Sequence, residues 1–147
     1  MLKIAIINGP NLNLLGTRNP QVYGTKTMEE TMVEIQREWL GTQFVYIQSN
    51  HEGELIDRIQ AIAESGDYNG LVINAGGYAH TSVALRDAVE YAAEQKLTVV
   101  NVHLSNIRVR EEFRQRDLLE DVCSHTIIGH GTNGYKEAVE YITRLAR

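Results

Sequence analysis

An open α/β sheet of about five parallel strands, doubly wound with helices on both faces, is the fold this sequence predicts, and three observations carry it. Short runs such as Leu71-Val72-Ile73 and Leu97-Thr98-Val99-Val100 are continuously apolar, as strands are when both faces of a sheet are covered. They alternate with segments of helical period, which gives a β-α-β-α rhythm. The connections are short and rich in turn formers: Gly41-Thr42, Ser65-Gly66-Asp67 and Gln95-Lys96. At 147 residues the flavodoxin-like strand order is the natural arrangement.

Each element has its own justification. Lys3 to Asn8 is an apolar β-type run that breaks at Gly9-Pro10. Thr27 to Leu40 has helical period, and Thr27 stands three residues before Glu30, the spacing of a capping box. Gln43 to Ser49 is the second strand and Glu52 to Glu64 the next helix. Gly70 to Asn74 is the third strand. Thr81 to Gln95 follows as a helix, with Ser82 in its first turn. Leu97 to His103 and Thr126 to Gly129 complete the sheet, and Tyr135 to Ala146 closes the chain as a helix. A single domain over residues 1–147 is expected, large enough to bury roughly two thirds of its unfolded surface.

Composition narrows the function. Lys and Arg number 14 against 19 Asp and Glu, a formal charge of −5, which argues against a nucleic-acid footprint. An anionic ligand would need local arginines, and these cluster at Arg108, Arg110, Arg114 and Arg116. Met1-Leu2-Lys3-Ile4-Ala5-Ile6-Ile7 is too short an apolar stretch for a signal peptide or membrane span, so a cytoplasmic location is expected. Cys123 is the sole cysteine, which rules out an intrachain disulfide and a cysteine metal cluster. Its acidic neighbours Glu120 and Asp121 disfavour a thiolate.

In doubly wound sheets ligands bind beyond the carboxyl ends of the strands, where strand order reverses. The unusual residues of this chain fall there. The first strand runs into Asn8-Gly9-Pro10-Asn11, the third into Asn74-Ala75-Gly76-Gly77 and the fourth into His103-Leu104-Ser105-Asn106. The first of these loops continues to Gly24, irregular chain of a length that compact domains keep for binding or closure. It carries Arg18 and Tyr23, and an adjacent cation favours the ionised form of a phenol, whose ordinary pKa is about 10. Gly16 and Gly24 bracket the stretch as a mobile lid.

The whole segment Ile7 to Gly24 resembles the N-terminal signature of type II 3-dehydroquinate dehydratases. Similar stretches recur at Gln48 to Asp57, Asn74 to Ala88 and Val102 to Arg114, so the resemblance covers essentially the whole chain. It implies dehydration of 3-dehydroquinate to 3-dehydroshikimate in the shikimate pathway, by anti elimination through an enolate and without metal or organic cofactor. Such a reaction needs a base for the carbon acid, a holder for the enolate oxygen and an acid for the departing hydroxide. Tyr23 is the base that the residues offer, with Arg18 as first cationic partner and Arg110 as second, and the resemblance implies the same role for Tyr23. It implies His103 as proton donor, Asn11 as enolate stabiliser through a water, and the Leu104 and Ser105 main chain on the substrate carboxylate. Asn74, His80 and Arg114 are implied on the substrate hydroxyls, Asp87 at a neighbouring subunit's site, and the assembly as a homododecamer, a tetramer of trimers.

Two positions depart from the family pattern. Position 101 is Asn where relatives commonly have Glu, so the strand offers the His103 imidazolium no charged partner. Asn19 replaces the usual Glu of an Arg-Glu-Pro lid sequence, which is expected to alter lid contacts more than chemistry. Two competing readings remain. One is a binding module whose Asn8–Gly16 loop cradles a phosphate or flavin, although the loop lacks a dense Gly/Ser/Thr run. The other is a catalytically impaired relative, motivated by Asn101 alone.

Overall fold

The computed structural model describes residues 1–146. Five strands, β1 (Leu2–Asn8), β2 (Thr42–Gln48), β3 (Gly70–Asn74), β4 (Thr98–His103) and β5 (His125–Ile128), form one sheet in the order β2-β1-β3-β4-β5. Every neighbouring pair is parallel. This is the flavodoxin-like order, and the direction of winding reverses at β1 and β3.

Among the described residues, six α-helices connect or flank the strands: α1 (Pro20–Tyr23), α2 (Met28–Glu38), α3 (Glu52–Ser65), α4 (Val83–Glu94), α5 (Glu112–Gln115) and α6 (Asn133–Leu145). Two cores result, because side chains alternate across a strand. Ala5 and Ile7 of β1 join Leu71 and Ile73 of β3 under α3 and α4, where Leu55, Ile59, Leu85 and Val89 are buried. Ile4 and Ile6 point the other way, with Val72, Val100 and Val102, onto Met32 and Ile35 of α2 and Tyr135, Val139 and Ile142 of α6. The unbroken apolar runs of the sequence are thus divided residue by residue between two layers.

Helix starts show how local chemistry sets the boundaries. Thr27 caps α2 with a reciprocal capping box: its hydroxyl accepts the Glu30 N–H at 3.1 Å, and the Glu30 carboxylate accepts the Thr27 N–H at 3.2 Å. The α4 boundary differs from expectation. Ser82, not Thr81, is the cap, accepting the Leu85 N–H at 2.9 Å, because residues 76–80 form a separate 3₁₀ segment.

The carboxyl ends of β1 and β3 are pressed together. Gly9 donates its N–H to the Asn74 carbonyl at 2.7 Å, and a Cβ at Gly9 would lie 2.3 Å from the Ala75 carbonyl oxygen. Only glycine permits that approach. Behind it, the buried Tyr135 hydroxyl donates to Asn8 Oδ1 at 2.7 Å and accepts from Asn74 Nδ2 at 3.0 Å, so α6 fastens the two strand ends from below.

Candidate active site

A cavity of about 210 Å³ opens where β1, β3 and β4 end. From β1 it receives Pro10, Asn11 and Leu12; from β3, Asn74, Gly76, Gly77 and His80; from β4 and the following loop, His103, Leu104, Ser105 and Arg110. Arg18 and Tyr23 close one side and Arg114 another. Ten of the eleven residues singled out from the sequence therefore share one cavity. Asp87 does not; it is exposed on α4.

Tyr23 sits between two guanidinium groups. Arg110 Nη1 donates to the Tyr23 hydroxyl at 3.0 Å and to Ser105 Oγ at 3.1 Å, while Arg18 lies over the ring with its Cζ 5.0 Å from the centroid. Partial burial works against ionisation. The Arg110 hydrogen bond and charge, followed by the charge of Arg18, outweigh it and hold the phenol below its ordinary value. The expected ranking of the two arginines is thereby reversed: Arg110 is the principal partner.

The segment carrying Arg18 and Tyr23 has the backbone of a hinged flap. Leu15 is buried, but residues 17–21 are all exposed, and Gly16 and Gly24 stand at φ 96° and 86°, where glycine alone is unstrained. Asn19 between them is also left-handed, at φ 42° and ψ 62°. Asn adopts this region more readily than Glu, so the departure at position 19 suits the flap's backbone.

The remaining groups are held from behind. Asn74 Oδ1 accepts the Gly76 N–H at 3.2 Å while its amide nitrogen is tied to Tyr135. His80 Nδ1 bonds the Arg116 carbonyl at 2.7 Å, and its ring stacks on His103 with centroids 6.0 Å apart. Burial keeps His80 below its ordinary value, against the pull of that carbonyl. Glu111 grips Arg114 Nε at 3.1 Å. Of the four arginines clustered in the sequence, Arg110 and Arg114 reach the cavity; Arg108 pairs with Glu120 instead, and Arg116 contributes its backbone carbonyl to His80.

The family model described as Dehydroquinase class II matches residues 2–143. The chain belongs to the class II dehydroquinase family. The 3-dehydroquinate dehydratase of Dinoroseobacter shibae is 50% identical over 143 residues, covering 96% of this chain and 92% of that protein. Catabolic 3-dehydroquinase 1 of Neosartorya fischeri is 45% identical, over 95% of this chain and 91% of the relative. Among solved structures, the type II dehydroquinase of Butyrivibrio crossotus superposes with a TM-score of 0.90 at 40% identity, covering 97% of both chains.

Within this class II dehydroquinase chain, one expectation is corrected. His103 was expected to lack a charged partner because position 101 is Asn. The structure supplies one from elsewhere: Asp117, in the loop after α5, lies with Oδ2 2.8 Å from His103 Nε2, and Asn101 Nδ2 donates to the same oxygen at 2.8 Å. Burial opposes the Asp117 charge. The His103 bond and charge, the Leu119 N–H and the Asn101 amide nevertheless keep the carboxyl below its usual range. The ground for reading the chain as catalytically impaired falls with that correction.

Asp117 escaped sequence reasoning because Arg116-Asp117-Leu118 has the look of a solvated charge in a loop. Tyr135 and Asn8 escaped it too. A buried Tyr on a helix carries no signal of the two amides it will meet. The thiol of Cys123 behaves as its neighbours suggested: burial, with the charges of Asp117 and Asp121, pushes it up to about 12. Among the described residues, no group of three His, Cys, Asp or Glu side chains is arranged to hold a metal ion, and no helix is long and apolar enough to cross a membrane.

Proposed function

We propose that this chain is a hydro-lyase that dehydrates 3-dehydroquinate to 3-dehydroshikimate. One observation carries the reading: a phenol held below its ordinary value by two guanidiniums faces the same cavity as an imidazole backed by a carboxylate. That pairs a base with an acid, and three arginines supply local positive charge in a chain of net charge −5.

In the proposed sequence the Tyr23 phenolate removes a proton from the carbon beside the ketone, and the electron pair moves onto oxygen as an enolate. Asn11 stabilises that oxygen through a water. When the enolate collapses, the C–O bond on the neighbouring carbon breaks and His103 protonates the departing hydroxide to water. The Leu104 and Ser105 backbone and Arg110 hold the substrate carboxylate, while Asn74, His80 and Arg114 meet the hydroxyls. The base rides on the flap and the acid on the sheet, an arrangement suited to anti elimination.

The reading extends to assembly and place. Asp87 is exposed and does not line its own cavity, as expected of a residue serving a neighbouring subunit, and the homododecamer of four trimers is proposed on that basis with the family resemblance. A cytoplasmic location is proposed likewise.

The direct experiment adds purified protein to 3-dehydroquinate and follows the conjugated enone in the ultraviolet. Growth of that absorbance is expected, and a loss of at least about 100-fold in Tyr23→Phe, the usual scale for a general base. No absorbance change with the wild-type protein refutes the reaction; Tyr23→Phe retaining more than about a tenth of the rate, under 1.4 kcal/mol of barrier, refutes the base.

A further inference from the structure

Asp117 belongs to none of the motifs that mark the family, and it is not among the residues lining the cavity. Its carboxylate is nevertheless 1% exposed, and three donors converge on it. Oδ2 takes His103 Nε2 and Asn101 Nδ2, each at 2.8 Å, and Oδ1 takes the Leu119 N–H at 3.0 Å. A buried charge is tolerable only when satisfied in this way.

We propose that Asp117 is the positioning residue of the acid: it holds the His103 ring by Nε2, turns Nδ1 toward the substrate, and stabilises the imidazolium that protonates the departing hydroxyl. The proposal rests on the dehydratase reading. A carboxylate can only accept, so the neutral ring must carry its proton on Nε2. Nδ1 then has no partner among the described residues. When the ring is charged, the Nδ1 proton passes to the departing oxygen, which takes the C–O electron pair and leaves as water.

Asn101 explains why the carboxylate is where it is. An amide at position 101 can donate to Asp117; a carboxylate there would face it with like charge. The amide keeps this orientation even though its own Oδ1 is left buried and without a partner. A Glu at position 101 would reach the same imidazole from the strand that Asp117 reaches from the loop, and each carboxylate excludes the other. Among the described residues, His80 stacks on the His103 ring, and the other titratable or charged groups lining the same cavity are Tyr23, Arg18, Arg110 and Arg114, none of them an anion at neutral pH except an ionised Tyr23.

Nitrogen-15 NMR of the wild-type protein should show neutral His103 as the Nε2–H tautomer. An Nδ1–H tautomer overturns the proposal whether or not the protein dehydrates its substrate, so the two readings fail separately. Asp117→Asn should lower kcat roughly 10- to 100-fold with KM little changed. It should also move the alkaline limb of the kcat profile to lower pH, because the protonated ring has lost its anion. The double variant Asn101→Glu/Asp117→Asn returns one carboxylate from the strand and should recover most of the kcat and raise the limb again. Unchanged kcat in Asp117→Asn, or a loss with an unmoved limb and no recovery in the folded double variant, overturns the proposal. Should Asp117→Asn fail to fold, the wild-type tautomer and the double variant decide the matter.

Discussion

Tyr23 is held by two arginines of unequal effect. Arg110 donates to the phenol oxygen at 3.0 Å, whereas Arg18 lies chiefly over the ring face, so the Arg110 hydrogen bond and charge weigh more on the phenol than those of Arg18. Removing a cation raises the pH at which the phenol ionises. The acidic limb of kcat/KM, where it reports the free-enzyme base, should therefore shift upward in both Arg110→Ala and Arg18→Ala, and further in Arg110→Ala. Profiles measured on the two variants check the order; a larger shift in Arg18→Ala contradicts the geometry. A second outcome at this scale concerns Asn101→Glu alone. With Asp117 intact it sets two carboxylates in a buried space, and a loss on the order of 2–3 kcal/mol is expected. Thermal denaturation should register it as a drop of roughly 4–12 °C. The cavity residues at the strand ends were legible because those ends are read directly from where apolar runs stop, whereas His80, Arg114 and the role of Asn74 came only from the family resemblance. Asp117 was not legible, since its role depends on a loop returning over β4 after α5, which no local pattern encodes.

Among the elements, the strands and long helices were the most legible, because burial on two faces leaves a run that no surface segment has. The short pieces were not. One-turn helices α1 and α5 are too brief for a period to show, and their existence depends on neighbours: Pro20 presets the first turn of α1, and the Glu111 carbonyl accepts the Arg114 N–H at 2.8 Å. For α1 and its flanks the expected consequence is mobility. Exposed residues 17–21 hold few apolar anchors, and the Arg110–Tyr23 bond ties the flap across the cavity. An anionic ligand engaging Arg18 and Arg110 should draw the flap down. Tryptic cleavage after Arg18 is expected to slow markedly with a saturating substrate analogue, and equal rates with and without it would contradict the flap.

On the scale of the whole molecule, the sheet order could be anticipated, since alternating α and β segments of this length leave few topologies. What length and rhythm did not reveal is how the two halves of the winding are locked. Tyr135 on α6 reaches across the sheet end to Asn8 of β1 and Asn74 of β3. Tyr135→Phe keeps the packing but strands one buried acceptor and one buried donor. A cost of about 1–3 kcal/mol is expected, a fall in Tm of roughly 2–12 °C; an unchanged Tm would show that the amides re-pair without the hydroxyl.

The position of Tyr135 also bears on the order in which the chain is made. Synthesis runs from β1 to α6, so Asn8 and Asn74 leave the ribosome long before the hydroxyl that joins them. Until the last helix emerges, the ends of β1 and β3 lack their shared clasp, and Asn74 lacks the bond that aims it at the cavity. A ribosome-bound fragment ending before α6 carries every cavity residue but lacks the hydroxyl that ties the Asn74 amide nitrogen.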